Sequence, residues 1–467
     1  MDTPRQHQRA NVAAVRPRSR HQGHLQVGGA VAPATKTVLL VCPTMWDEAE
    51  LPRFAATGRY RVLPFGTDVS EHPERFDALN FIDRAVAASE GKAIDGVMAS
   101  DDYPGSIIAA AIARRLGLPG PHPRSVLLCQ HKYYSRIAQH AVAPEAVPSF
   151  TILNPATIRE AAAGLRFPVF VKPVKSFFSL LAQELGSAEE LVALSRQADH
   201  HLREFVKPFN QLLKRYASFP LDGGYLLAEQ PLRGRQVTVE GCMFRGEGMI
   251  VGITDSIMYP GTICFRRFDY PSRLHPGVQE RMGDLALRFI RSIGFDDGLF
   301  NVEMFYDPDS DAIHIIEINP RMCAQFADLM EKVNGVNSYE IALAIAAGVR
   351  PRIHRPSPQY RVAASFVLRL FEDKTVARVP SPEELAVFQS RFPDARLKVL
   401  CREGQLLSDE LQDGKSYRYA VLNLGGQSAR DLAANYAEAT RYLRFEFAAI
   451  GQSRPARIAR HGSEERS

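Results

Sequence analysis

Across its 467 residues the chain has one tryptophan, six cysteines, no GxGxxG fingerprint and no GxSxG elbow. Its longest apolar stretches, such as residues 38–41 and 341–347, fall well short of the ~20 residues a membrane helix needs, so no membrane partner is expected. Cys42, Cys129, Cys242, Cys264, Cys323 and Cys401 lie far apart without a CxxC pair, which suits thiols in a reducing, cytoplasmic compartment better than disulfides or zinc. The missing glycine fingerprint disfavours a nicotinamide-binding Rossmann domain, and the missing elbow disfavours Ser-His-Asp hydrolysis. With 23% charged residues, 32 Gly and 31 Pro, the chain is neither collagenous nor low-complexity.

The net charge of +5 is concentrated at the ends. Residues 1–37 carry six Lys or Arg against one acid, and the tail from Gln452 carries four Arg against two Glu, which leaves a body of about −2. The leader (1–36) and the tail (451–467) read as disordered basic extensions. A near-neutral body argues against a nucleic-acid partner, although Tyr133, Tyr134, Lys132 and Arg136 cluster in sequence.

Between those ends the periodicity changes along the chain. The runs 38–41, 60–65 and 96–99 alternate with helix-like stretches, one of them a stripe of Ile107, Ile108, Ala111, Ile112 and Leu116 closed by Gly117. They predict parallel βαβ units in an N-terminal open α/β domain over residues 37–125. Residues 126–350 become rich in strands (169–172, 225–229, 236–244, 249–257, 299–306 and 313–319), with amphipathic helices at 282–293 and 339–347. After a Pro-rich linker, residues 351–450 read as a small α+β module, so the expected class is α/β combined with α+β.

The sharpest local signal is Asp311-Ala-Ile-His-Ile-Ile-Glu-Ile-Asn-Pro-Arg321, which follows a run at 299–306 that reads as its partner strand and a turn at Asp307-Pro-Asp-Ser-Asp311. Strand alternation puts Glu317 and Asn319 on one face together with Ile313 and Ile315, and Ile316, Ile318, Val302 and Met304 on the other. Glu303 on the neighbouring strand meets the pair. Two carboxylates and an amide oxygen form a hard donor set suited to Mg²⁺, which keeps part of its shell for water or substrate phosphates. Arg321, just beyond, is a fixed cation for a phosphate or carboxylate. The competing reading is a half-buried hairpin with solvated acids and Arg321 as their surface partner.

These residues resemble the end-of-domain signature of the ATP-grasp superfamily, in its carboxylate-amine ligase branch, which includes L-amino-acid ligases. The likeness continues upstream. Phe167-Pro-Val-Phe-Val-Lys-Pro173 is similar to the strand that delivers a phosphate-binding lysine, here Lys172, and Lys132 falls where the second ATP lysine is expected. Tyr225-Leu-Leu-Ala-Glu-Gln-Pro-Leu-Arg-Gly234 resembles the adenine hinge, implying base contacts from Glu229 and from the backbone near Gln230 and Leu232. Gln236 falls where many relatives place an acid near the ribose. The resemblance spans about residues 38–443. It implies a two-lobed core that binds ATP and Mg²⁺, with Mn²⁺ as a second candidate, and holds the metal on Glu303, Glu317 and Asn319.

In chemistry the resemblance implies an enzyme that joins a small-molecule carboxylate to an amine through an acyl phosphate, releasing ADP and phosphate, with Arg321 stabilising the developing charge. A homodimer is a further implication. Two departures stand out. The loop after Lys172 reads Pro173-Val-Lys-Ser-Phe-Phe-Ser-Leu-Leu-Ala182 where relatives carry a glycine-rich phosphate cover, leaving Ser179 to keep one contact. At Thr262–Ser272 the chain offers Arg266 and Arg267 where many relatives place an acid, so an inward Arg267 would favour an acidic substrate. The alternatives are a biotin-carboxylase-like enzyme and a non-catalytic nucleotide-binding scaffold.

Overall fold

Four sheets organise the chain in a computed structural model that describes residues 34–66, 76–176, 181–355, 358–409 and 416–450. Residues 1–33 of the leader, the tail from 451, and Phe177, Phe178 and Ser179 lie outside the described residues. All the described elements belong to one unit, Thr35–Ser467. Among the described residues no helix is long and apolar enough to cross a membrane.

The first sheet is parallel, with β1 (Lys36–Val41) between β2 (Tyr60–Phe65) and β3 (Gly96–Met98). Its central strand is aliphatic from Val38 to Val41 because both faces are covered there: Leu39 and Val41 enter one core, Val38 and Leu40 another. β3 delivers Ser100, Asp101 and Asp102 at its C-terminal end, where open α/β sheets present their ligand-facing groups. The helix Ile107–Leu116 then packs its apolar stripe on the sheet and stops at Gly117, whose φ of 67° is open to glycine at little cost.

The second sheet is antiparallel and runs β4 (Phe150–Leu153), β7 (Leu226–Glu229), β5 (Val169–Pro173), β6 (Gln183–Leu185). The helix Ala188–Phe205 covers it with Leu191, Leu194 and Ala198.

The largest sheet has eight strands. Its members are β8 (Arg235–Phe244), β9 (Glu247–Met258), β10 (Phe265–Tyr270), β11 (Gly298–Asp307), β12 (Ala312–Asn319), β13 (Val362–Leu370), β15 (Arg396–Val399) and β16 (Tyr417–Gly426). They lie in the order β12-β11-β8-β9-β10-β13-β16-β15, while β14 (Thr375–Arg378) pairs separately with β17 (Glu446–Ala448). One face packs Val237, Val239, Ile253, Val302 and Met304 against the helix Pro276–Ser292, whose Met282, Ala286, Phe289 and Ile290 are completely buried. Each such large side chain contributes about 1.5–3 kcal/mol by leaving water. The opposite face is polar for much of its width. Register sets Glu317, Glu303, Thr238 and Thr254 in one row across β12, β11, β8 and β9, and Asn319, Asn301 and Glu240 in the next.

Candidate active site

One irregularity in β12 decides which side chains reach that polar face. Glu303 pairs with Glu317, but the next residue, Met304, pairs with Ile315, so Ile316 is an extra residue in a β-bulge. Alternation is therefore reset within β12. Ile313, Ile315 and Ile318 all join the apolar core, while Glu317 and Asn319 stand on the other face with Glu303. The expectation that Ile313 and Ile315 share the acids' face is corrected by this bulge, as is the placing of Ile316 among the core residues. The Ile316 carbonyl instead accepts hydrogen bonds from Arg136 Nη2 at 2.8 Å and Lys172 Nζ at 3.3 Å.

The polar face lines a cavity of about 630 Å³. Glu303, Glu317, Asn319, Arg321 and Lys132 are on its wall, joined from the parallel sheet by Asp101 and Asp102. Lys132 opens the helix Lys132–Val142 and lies 3.3 Å from Glu317. Burial opposes ionisation of Glu317, yet Lys132 and Lys172 hold its carboxyl below the usual range. Glu303 behaves oppositely: burial and the facing Glu317 raise it to about 7. Asn319 Nδ2 donates to Glu303 Oε1 at 3.4 Å, and Gln236 Nε2 donates to Glu303 Oε2 at 3.0 Å. Gln236 thus meets a candidate metal ligand.

Lys172 and Glu229 sit behind the cavity wall. Glu229, at the end of β7, is 2.7 Å from Lys172 Nζ and 2.5 Å from Arg136 Nε, all three side chains being buried. Burial disfavours its charge, but these two cations hold its carboxyl at about 2. Its carboxylate therefore anchors cations, whereas the resemblance implies contact with a base. Beyond β7, the Gln230 N–H donates to the Ser149 carbonyl at 2.9 Å, and the Leu232 carbonyl accepts from Arg233 Nη1 at 3.0 Å.

Arg267 is placed elsewhere. Along β10, Phe268 pairs with Ser256 and faces the cavity, so Arg267 and Asp269 point to the opposite side of the sheet, where they approach to 2.8 Å. Arg266 is exposed. The inward arginine expected from the sequence is thus corrected by the period of two on β10.

Sequence reasoning missed Lys175 and Arg136 as site residues. Lys175 is buried three residues after Lys172, lines the cavity, and pairs with Asp102 at 3.0 Å across the rings of Tyr103 and Phe209. Asp102 is held below the usual carboxylate range by Lys175 and Arg321 against the opposing effect of burial, whereas burial raises Asp101 to about 7. The only available signals were an acidic pair at a parallel strand end and a lysine just past β5.

Among the described residues no group of three or more His, Cys, Asp or Glu gathers as a metal cage. The donor set is instead two facing carboxylates plus an amide. That fits a hard cation whose remaining positions are filled by phosphate oxygens and water.

Residues 165–329 match the family model of the ATP-grasp domain. A Sinorhizobium fredii protein, uncharacterized protein y4rH, is 29% identical over 216 residues, covering 45% of this chain and 40% of that protein. Carnosine synthase 1 of Gallus gallus is 26% identical over 276 residues, covering 56% of this chain and 28% of that enzyme. The chain therefore spans less than half the length of these curated relatives. Among solved structures, the L-amino acid ligase from Bacillus licheniformis superposes with a TM-score of 0.68 at 17% identity, covering 89% of this chain and all of that one, a likeness of fold. The paired acids at the edge of the large sheet and the lysines presented from the smaller one thus fall in or beside the stretch, residues 165–329, that matches the ATP-grasp domain.

Proposed function

We propose that the chain is an ATP-dependent carboxylate-amine ligase. The observation that carries this reading is the facing pair Glu303 and Glu317 with Asn319, set in one cavity beside Lys132, Lys175 and Arg321. Such a site separates two kinds of charge. Acids at the sheet edge hold Mg²⁺, and the cations opposite hold phosphate oxygens. The bound metal would neutralise charge on the β- and γ-phosphates.

The chain's own residues do the rest. Lys132 and Lys175, both on the cavity wall, fix the phosphates, with Lys172 adding positive charge from behind it, and the exit of β7 at Gln230 and Leu232 receives adenine. Arg321 orients the substrate carboxylate, one oxygen of which attacks the γ-phosphorus while ADP leaves. The amine nitrogen then attacks the carbonyl carbon of the resulting acyl phosphate. The C–O bond to phosphate breaks, and the ammonium proton leaves with solvent. Arg321 stabilises the tetrahedral oxyanion, so no side-chain nucleophile is needed.

The test is phosphate release from the full chain with Mg-ATP and pooled amino and organic acids, beside Glu317→Ala, with mass spectrometry of the products. Substrate-dependent phosphate and a dehydrated adduct, both lost in the variant, support the reading. ATP binding without phosphate release on any pair from a broad panel would replace it with a nucleotide-binding scaffold.

A further inference from the structure

Apart from the paired acids of the large sheet, the cavity wall holds a carboxylate that already has a cation. Asp102, just past β3, lies 3.0 Å from Lys175 Nζ, and the two side chains are unequally placed: that of Asp102 is 21% exposed and that of Lys175 1%. Lys175 belongs to the loop after β5, where the chain departs from the glycine-rich cover of the proteins it resembles. Its ammonium is held against two aromatic faces, 4.6 Å from the ring centre of Tyr103 and 5.3 Å from that of Phe209. Asp101 is committed differently. Its Oδ2 accepts from the Gly105 N–H at 3.2 Å, and it packs so closely on Gly105 that a Cβ there would collide with its carboxylate, which ties it to the turn.

Beside Asp102 stands a second acceptor. Gln130 Nε2 donates to the Asp102 carbonyl at 2.5 Å and to the Ser106 hydroxyl at 2.9 Å, and lies 3.4 Å from Asp102 Oδ1. Gln130 is 4% exposed and lines the cavity, and among the described residues its Oε1 has no hydrogen-bond partner. A carboxylate and an amide oxygen together on a cavity wall suit a cationic donor. The cation now in place, Lys175, is one that arriving phosphates claim. Burial works against the charge of Asp102, and Lys175 and Arg321 hold its carboxyl below the usual range. Once Lys175 has gone to a phosphate, burial counts for more and the carboxylate becomes a better proton acceptor.

We infer that Asp102 is a catalytic residue that receives the ammonium of the incoming amine and takes its proton, and that phosphate releases it for this by drawing Lys175 away. The inference rests on the ligase reading for the amine and for the phosphates on Lys175. Nucleotide then precedes amine. Before it arrives Asp102 is already neutralised, and afterwards an unpaired carboxylate stays on a buried wall until an ammonium replaces the lysine. The first proton of the ammonium passes to Asp102 and on to solvent. The nitrogen attacks the carbonyl carbon of the acyl phosphate, the C–O bond to phosphate breaks, and the second proton, lost from the tetrahedral adduct, leaves on the phosphate.

The experiment sets two nucleophiles against each other on the full chain with Mg-ATP and pooled amino and organic acids. The amino groups of the pool arrive protonated, whereas hydroxylamine is unprotonated at neutral pH and captures an acyl phosphate as a hydroxamate without an ammonium site. In Asp102→Asn the ratio of amide to hydroxamate should fall about 100-fold, within the range a positioned proton acceptor contributes, and Asp102→Glu should recover part of it. Calorimetric titration with Mg-AMPPNP reads the exchange. Asp102→Asn, which frees Lys175 in advance, should bind the nucleotide severalfold more tightly than the parent chain, and Lys175→Gln about tenfold more weakly. An unchanged ratio in Asp102→Asn would overturn the role of Asp102, and weaker nucleotide binding in that variant would overturn the exchange. The two readings fail separately. Hydroxamate from the parent chain keeps the ligase whatever the ratio does. No hydroxamate from any member of a broad panel would remove the ligase and the amine role with it, while the titrations would still decide the exchange.

Discussion

Replacing Glu229 by Gln should strand two buried cations. Arg136 Nε lies 2.5 Å and Lys172 Nζ 2.7 Å from its carboxylate, and all three side chains are at most 5% exposed. Folded, the carboxyl titrates at about 2 against an ordinary value of 4.5, the cations outweighing the cost of burial. A displacement of that size corresponds to about 3 kcal/mol of stability at neutral pH, in line with the ~3–5 kcal/mol lost when one partner of a buried pair is removed. Because the folded pKa is depressed, this contribution is present above pH 4.5 and is lost as pH falls toward 2. The chain holds several separate cores, so a local probe is preferable to one global transition. Amide exchange across Leu226–Glu229 and Val169–Pro173 should quicken by about 100-fold in Glu229→Gln. The β14–β17 pair should not respond. An effect under about threefold on the second sheet would refute the account, because it would mean the cations are solvated without Glu229.

Glu240 predicts the opposite sign. Its side chain is wholly buried, with Oε1 accepting from Ser338 Oγ at 2.6 Å, and burial raises the carboxyl to about 7. A raised folded pKa favours the protonated form, so stability is present below pH 4.5 and is lost as pH rises through 7. Glu240→Gln should therefore stabilise the chain at pH 8 by about 1–3 kcal/mol and confer little at pH 5, and a stability difference that ignores pH would sink the idea. Arg267→Ala should leave phosphate release within about twofold, since the side chain lies across the sheet from the cavity; a loss of tenfold would return Arg267 to the site. Deleting Ile316 makes Ile315 and Glu317 consecutive opposite Met304 and Glu303, so regular alternation keeps Glu317 and Asn319 on the cavity face while the carbonyl that accepts from Arg136 and Lys172 is lost. A soluble deletion variant that keeps its ATP-induced thermal shift is the expected outcome, and an insoluble one would show that the strand needs the bulge.

Much of this architecture was legible in the sequence, because local period and local chemistry agree over long stretches. The run Val38–Val41, the stripe closed by Gly117 and the hairpin around Asp307–Asp311 all form where pattern and turn residues put them. What escaped was of two kinds. Bulges leave no mark where neighbours are chemically alike: Ile315 and Ile316 read identically, yet one enters the core and the other presents its carbonyl to two cations. Long-range ion pairs leave no mark either. Arg136 meets Glu229 from 93 positions away and Lys175 meets Asp102 from 73, so neither pairing could be read from periodicity. Arg267 is a different case. The alternation of Arg267 and Asp269 with Phe268 and Tyr270 was visible in the letters, but only the identification of that stretch as a strand gives the alternation a direction.

The pairings within the site also bear on how its ligands enter. Lys132 rests on Glu317, Lys172 on Glu229 and Lys175 on Asp102, so much of the charge near the cavity is already neutralised in place. A phosphate chain arriving alone would draw Lys132 from Glu317 and leave that carboxylate beside Glu303, a repulsion that burial sharpens. A divalent cation arriving alone would draw Glu317 away and leave Lys132 beside Lys172 and Lys175. Together they exchange partners without stranding either sign, the phosphates taking the lysines and the cation taking Glu303 and Glu317. ATP and Mg²⁺ should therefore bind with positive coupling beyond their association in water, and linkage requires the same factor in both directions. Titrating ATP over a range of free Mg²⁺, corrected for Mg-ATP formation, measures that factor. It should be about tenfold or more in the parent chain and should collapse toward one in Glu317→Gln, where Lys132 has no charge to give up. A coupling that survives the substitution would mean that the exchange of partners at Lys132 does not govern entry.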